Sequence, residues 1–340
     1  MKIFKRLSAL ALMLVLLCPA GAAEAEPVFS DVPEEHWAAH NIAWCSRYGL
    51  VQGVGGGRFG LGEQMSRASY VMTLCRLMGW PTQGGETGSF ADNQDPQKWY
   101  YGAIEEAFER GVLTAQSEYC RPDEPITREE MAVMTVRALG YTTLAGIVSG
   151  GNTPFADISA NQGYITLAYR MGFTNGTGRF TFNPDATATR EEAATMLLRV
   201  YNRIHNGISL SYGEVPEGTA MVESLVGTEG ELPLSPRAPL EKLYALALTG
   251  ATSAAIDGGA FVQHVKDGAV SEGYAITNEE LSSYLARGMM GRSTRYESSY
   301  VVCREEDGST SVVWFESEAD IQKKVQLCRC LGITELYVKR

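Results

Sequence analysis

The sequence predicts a mainly α chain, three helix–loop–helix repeats sharing one core, followed by a small α/β unit. Two observations carry the first part. Thr127-Arg128-Glu129-Glu130 returns as Thr189-Arg190-Glu191-Glu192 and, worn down, as Ser66-Arg67-Ala68-Ser69, with the arginines 61 and 62 residues apart. Each copy is preceded by an aromatic-small-Asp signature: Phe29-Ser30-Asp31, Phe90-Ala91-Asp92 and Phe155-Ala156-Asp157. The third observation is that beyond His205 the period stops, and short helical stripes alternate with β-rich runs.

A hydroxyl residue followed three places later by Glu is a capping box, so each copy of the four-residue stretch starts a helix. The cap does not require the Arg. A cation at a helix N-terminus opposes the positive end of the macrodipole, so three arginines in register call for another explanation.

Taken in order, the chain opens with Lys2, Lys5 and Arg6, an apolar run from Leu7 to Leu17, and Ala23-Glu24-Ala25. This reads as a secretory signal peptide, residues 1–25. The run falls short of the roughly 20 apolar residues of a membrane span, and Leu16 and Leu17 before Cys18 do not suit a lipoprotein signal. The chain carries a net charge of −11, which argues against general nucleic-acid binding, since that needs a basic face to release counterions. An anionic ligand must then be held by a few placed arginines.

Within each repeat an Ile lies seven residues before a Gly: Ile42 and Gly49, Ile104 and Gly111, Ile165 and Gly172. Each Gly is followed by an apolar residue, as at a helix C-terminus closed by a left-handed Gly. A loop follows, holding Arg121-Pro122-Asp123 and Asn183-Pro184-Asp185 in the second and third copies, both turn formers. Behind the arginines run apolar stripes: Val71, Leu74, Cys75 and Met78; Ala132, Thr135, Val136 and Leu139; Ala194, Leu197, Leu198 and Tyr201. Spacing of this kind is one face of an amphipathic helix too small to bury alone. Cys45 and Cys75 fall at such positions, as two buried thiols or as a disulfide. The remaining cysteines, with four histidines, lack zinc-ligand spacing.

These elements resemble a triplet of S-layer homology domains over about residues 28–203. The resemblance implies a pseudo-threefold helical bundle whose grooves bind an anionic, often pyruvylated, secondary cell-wall polymer and hold the protein non-covalently to a Gram-positive-type envelope. It implies as ligand-binding residues Arg67, Arg128 and Arg190, with Asp31, Asp92 and Asp157, and Trp37 and Trp99. An Arg fork at a helix N-terminus suits a carboxylate or phosphate, and Trp offers a flat face to a sugar ring. Taken singly, each Arg also reads as a surface salt bridge with a neighbouring Glu, and each Asp as a cap on its own turn. Copy one lacks the acidic half of its box and copy three has Tyr164 where the others have Trp, so unequal grooves are expected. Arg128 stands in the copy that keeps both the Trp and the complete box.

Residues 205–239 read as a linker. In 240–340, Leu240–Leu248 is a helix candidate, Thr277-x-x-Glu280 caps another, and Asp307-Gly308 joins two strands as a hairpin. Ile321, Val325, Cys328 and Leu331 form a helical stripe before a last strand. The run from Val313 to Ile333 is similar to the last strand–helix–strand of family 18 glycoside hydrolases, but their Asp-x-x-Asp-x-Glu signature is absent, and Asp257, Asp267, Glu316 and Glu318 do not form a catalytic pair.

The domains expected are a signal peptide at 1–25, repeats at 26–84, 85–146 and 147–204, the linker, and an α/β unit at 240–340. No catalytic residue, cofactor or metal site is read. The function expected is anchoring at the cell surface through secondary cell-wall polysaccharide, with no nucleic acid and no transmembrane segment. The alternative is a wall-lytic glycosidase or its accessory subunit.

Overall fold

Each repeat forms the two helices that its periodicity predicts. In this computed structural model the described residues are 29–85, 87–148, 153–222, 228–229, 232–233 and 239–339, so the expected signal peptide and much of 223–238 lie outside them. The first repeat supplies α1 (Ala39–Arg47) and α2 (Arg67–Met78). The second supplies α3 (Tyr101–Glu109), α4 (Arg128–Ala138) and a short α5 (Thr142–Val148), and the third α6 (Gln162–Arg170) and α7 (Arg190–His205). Ile42, Ile104 and Ile165 are buried, and Gly49, Gly111 and Gly172 close their helices at φ 68°, 70° and 74°, a conformation that costs glycine nothing. Thr127 and Thr189 form complete capping boxes with Glu130 and Glu192, whereas Ser66 accepts from the Ser69 amide with no carboxylate to return the bond.

The expectation of a mainly α helical bundle is not met. The described residues are 37% helix and 18% strand, and extended segments rather than helix packing alone join the repeats. The residue two places before each capping Arg closes a ring of backbone hydrogen bonds. Met65 N–H donates to Ala188 C=O (2.9 Å), Ala188 N–H to Ile126 C=O (2.9 Å) and Ile126 N–H to Met65 C=O (2.8 Å). Flanking β-bridges join Gln64 to Thr189, Ser66 to Pro125 and Thr127 to Thr187, giving a small three-sided prism at the helix N-termini. Buried backbone must pair somewhere, and here one apolar residue per repeat pairs with the other two. At one residue per copy, that pairing leaves no alternating pattern to read.

The stripes behind the arginines then converge on the axis. Tyr70, fully buried, shares a 2.7 Å hydrogen bond with Thr135 and points its hydroxyl at the Met196 sulfur. Cys45 and Cys75 are buried free thiols, and burial pushes both up to about 12.

The C-terminal part is sheet-rich. It comprises β1 (Ser209–Tyr212), β2 (Thr228–Glu229), β3 (Leu232–Pro233), α8 (Leu240–Leu248), β4 (Ser253–Asp257), β5 (Ala260–Lys266), β6 (Ala269–Val270), β7 (Tyr274–Ile276), α9 (Asn278–Arg287), β8 (Met289–Ser293), β9 (Ser298–Arg304), β10 (Thr310–Phe315), α10 (Glu318–Leu331) and β11 (Glu335–Lys339). The hairpin at Asp307-Gly308 joins β9 to β10, and Thr277 caps α9. β1, inside the stretch read as a linker, pairs parallel with β11, which pairs parallel with β4. The larger sheet runs β6-β5-β10-β9-β8, with β7 on β5.

One hydrophobic cluster runs from the repeats into α8, β4, α10 and β11. Where α10 meets the C-terminal ends of α4 and α7, Lys323 donates to the Leu139 carbonyl and lies 4.7 Å over the Tyr141 ring. Tyr141 in turn donates to Gln326 Oε1 at 3.2 Å. The C-terminal unit therefore docks at the helix ends opposite the prism.

Candidate functional site

Each capping arginine reaches out of its own repeat into the loop of another. Arg67 Nε donates to the Cys120 carbonyl (2.8 Å), Arg128 Nε to Phe182 (2.9 Å) and Arg190 Nε to Phe59 (2.9 Å). Arg128 and Arg190 add Nη2 bonds to the carbonyls of Asn175 and Gln52, and their guanidinium planes lie 4.8 and 5.0 Å over the Phe182 and Phe59 rings. The cation that capping does not need thus ties repeat to repeat around the axis. Burial pulls the Arg128 and Arg190 guanidinium groups below their ordinary pKa, yet arginine stays charged.

The aspartates act on the other side of the same residues. Asp31 accepts from the amides of Phe59 (2.7 Å), Gly60 (2.8 Å) and Leu61 (3.1 Å). Asp92 accepts from Cys120 and Arg121, and Asp157 from Phe182 and Asn183. Burial would raise these carboxyls, but the amide donors outweigh it and hold all three below the ordinary value. Each loop residue is therefore gripped at its N–H by an Asp and at its C=O by an Arg. Trp37 and Trp99 are 61% and 58% exposed.

Two pockets form where repeats meet, and they differ in charge. The first, about 210 Å³, is lined by Arg190, by Ser69, Thr73 and Arg76 of α2, by Trp99, and by the loop at Gln52 and Gly53. No carboxylate lines it; Arg190 has Glu63, Asp31 and Glu191 as nearby charges but no ion pair among the described residues. The second, about 250 Å³, is lined among others by Arg67, Arg121, Arg137, Glu129, Glu130 and Asn161. There Glu130 pairs with Arg67, and Arg137 lies 5.3 Å over the Tyr164 ring. Arg128 has Glu192 and Asp157 as nearby charges but no ion pair.

The sequence reading missed Arg76 and Arg137. The signal was present, because an Arg recurs nine residues after each capping Arg, at 76, 137 and 199. It also missed Ser69, which lines the first pocket. Among the described residues no cluster of His, Cys, Asp and Glu could hold a metal ion, and no helix is long and apolar enough to cross a membrane.

Three capped helix pairs closed by a ring of extended segments, with arginine-bearing grooves shared between neighbours, define a triplet-repeat module. Residues 28–71, 93–132 and 154–194 match the S-layer homology domain, and the chain carries a triplet of these domains. It is similar to the amylopullulanase of Thermoanaerobacterium thermosulfurigenes (27% identical, over 54% of this chain and 10% of that protein). It is also similar to the exoglucanase XynX of Acetivibrio thermocellus (26%, over 55% and 17%) and to the S-layer protein sap of Bacillus anthracis (28%, over 52% and 22%). The chain thus spans less than a quarter of the length of each. Among solved structures, the sporulation-specific glycosylase ydhD of Bacillus subtilis superposes with a TM-score of 0.28 at 14% identity, over 37% of this chain and 51% of that one. A superposition that loose carries no argument about fold or activity.

Proposed function

We propose that this chain anchors itself to the cell envelope by holding an anionic secondary cell-wall polymer in the groove between its first and third repeats. The S-layer homology domains and the likeness to S-layer proteins put it at the cell surface. The observation that carries the choice of groove is the pair of desolvated guanidinium groups, Arg76 and Arg190, beside an exposed Trp99 with no lining carboxylate. Desolvated cations in a pocket that no carboxylate lines favour an anion, and an Arg fork gives a carboxylate two parallel bonds. Trp99 supplies the apolar face for the sugar ring. Asp31, Asp92 and Asp157 serve by shaping the loops, and Arg67 and Arg128 by joining repeats.

The repeats are a binding module, and we read the C-terminal unit as non-catalytic too. Glu316, nearly inaccessible, is bound to the buried Lys324, which keeps it from serving as a proton donor to an incoming substrate. Because α10 docks at the far end of α4 and α7 from the prism, binding would leave this unit facing away from the wall. Residues 26–340 should sediment with purified cell walls and fail to do so once the secondary polymer has been stripped; equal binding to stripped walls would sink the proposal.

A further inference from the structure

We infer that Asn206, at the joint between α7 and β1, is a site of spontaneous deamidation, and that the fold protects the same dipeptide at Asn175. The inference is independent of what the repeats bind.

Asn-Gly occurs twice in the chain, as Asn175-Gly176 and Asn206-Gly207. Asparagine is the thermolabile member of the pair: the glycine amide nitrogen attacks the side-chain carbonyl carbon, ammonia leaves, and the cyclic imide takes up water at either carbonyl. The products are aspartate and an isoaspartate whose main chain runs through the side-chain carbon. Water is the only co-reactant. Glycine favours the attack because it has no Cβ to crowd it and the widest backbone freedom. The attack also needs the Asn-Gly peptide to turn toward its own side chain, so backbone mobility separates two sites that sequence leaves equal.

At Asn206 little opposes that turn. The residue is exposed and follows the last residue of α7 with φ −56° and ψ 143°, outside the helical region. Gly207 is exposed too, and a Cβ there would meet nothing within 4 Å. Among the described residues neither takes part in a hydrogen bond, and the next backbone bond along the chain runs from Ser209 N–H to the Thr334 carbonyl at 2.9 Å.

At Asn175 the same turn is blocked. Its carbonyl takes the 2.8 Å bond from Arg128 Nη2 that joins the second repeat to the third. Gly176 is walled in, since a Cβ there would lie 2.6 Å from the Phe155 ring, 2.7 Å from the Thr181 carbonyl oxygen and 2.8 Å from that of Gly178. Thr177 N–H donates to the same Thr181 carbonyl at 2.9 Å. Giving up a hydrogen bond to a charged group by itself slows the attack about tenfold or more.

Conversion at Asn206 places a carboxylate at the C-terminal end of α7, where the negative end of the macrodipole opposes it. The isoaspartate also adds a main-chain carbon between α7 and β1, a strand seated by its pairing with β11. Both changes loosen the joint between the repeats and the C-terminal unit.

The test ages residues 26–340 in mildly alkaline buffer, folded and in urea, and follows tryptic peptides by mass. Cleavage after arginine gives 171–179 and 204–237, in which Asn175 and Asn206 are the only side-chain amides. Amide-to-acid conversion is therefore read one site at a time, and enzymatic methylation reports isoaspartate. Folded protein should convert Asn206 at least about tenfold faster than Asn175, and in urea the two should react alike. Gly207→Ala, for which the fold leaves room, should suppress the reaction at Asn206, and Arg128→Ala should speed it at Asn175. Converted protein should melt below fresh protein, while aged Gly207→Ala should not. Equal rates in the folded chain, or an Asn206 that stays intact, would overturn the inference. So would a melting temperature unmoved by conversion, or a difference between the sites that persists in urea and so belongs to flanking sequence rather than to the fold.

Discussion

Arg190, which opens the last helix of the third repeat, donates its Nε–H to the carbonyl of Phe59 in the first, 2.9 Å away. Asp31 takes the amide of the same Phe59. One peptide residue is therefore held from both sides by charges more than a hundred residues apart in sequence, and a grip of the same kind, by an Arg and an Asp nearer each other in sequence, recurs at Cys120 and Phe182.

Arginines that join repeats should matter to folding as well as to binding. Arg128→Ala removes two charge-assisted hydrogen bonds and a ring contact, and should cost about 3 kcal/mol in urea unfolding. At equal folded fraction it should leave wall binding nearly intact. Arg190→Ala should lose comparable stability and most of the binding.

Trp99 separates the two effects more cleanly. It is more than half exposed, so Trp99→Ala should shift stability by no more than about 0.5 kcal/mol while lowering wall binding several-fold. Trp37→Ala, outside the lining of the open pocket, should change binding less. Sedimentation with cell walls beside a melting curve reads both.

The three aspartates predict an acid limit. Their folded pKa values lie below the ordinary one, so the stability they contribute is full above the unfolded carboxylate pKa, near 4, and is lost as pH falls through the folded value. Melting temperature should drop steeply below about pH 4. Asp31→Asn should be less stable at neutral pH and show a shallower decline.

The repeats and the C-terminal unit share one core, which predicts one cooperative transition. Tyr141 is fully buried at the junction, and Tyr141→Ala should cost about 3–5 kcal/mol, lowering near-ultraviolet dichroism from both parts together. An isolated 26–204 fragment, with that face bared, should melt below the whole chain.

Cys45, Cys75, Cys120, Cys303, Cys328 and Cys330 are all free. Denatured protein beginning after residue 25 should therefore titrate six thiols without reductant, and reductant should leave the melting temperature unchanged.

Much of this was written in the sequence where the signal is local. The capping boxes at Thr127, Thr189 and Thr277, the glycine stops at 49, 111 and 172, and the hairpin at Asp307-Gly308 each depend on residues within one turn or one loop. They were read correctly because propensity and hydrogen-bond geometry act over that range. The extended ring of Met65, Ile126 and Ala188 was not legible, since each member is a single apolar residue whose partners lie in other repeats. The strands β1 and β4 to β8 were missed for a related reason: their pairing is decided by the sheet that receives them, as when β1 is taken up by β11.

The sequence by itself determined that a triplet of capped helices exists and that an arginine stands at the head of each. Only the tertiary structure decided what those arginines meet. A charge's role depends on the distance to its counter-charge, and that distance is set by which repeat is folded against which. Arg67 finds Glu130, whereas Arg190 finds the carbonyls of Phe59 and Gln52.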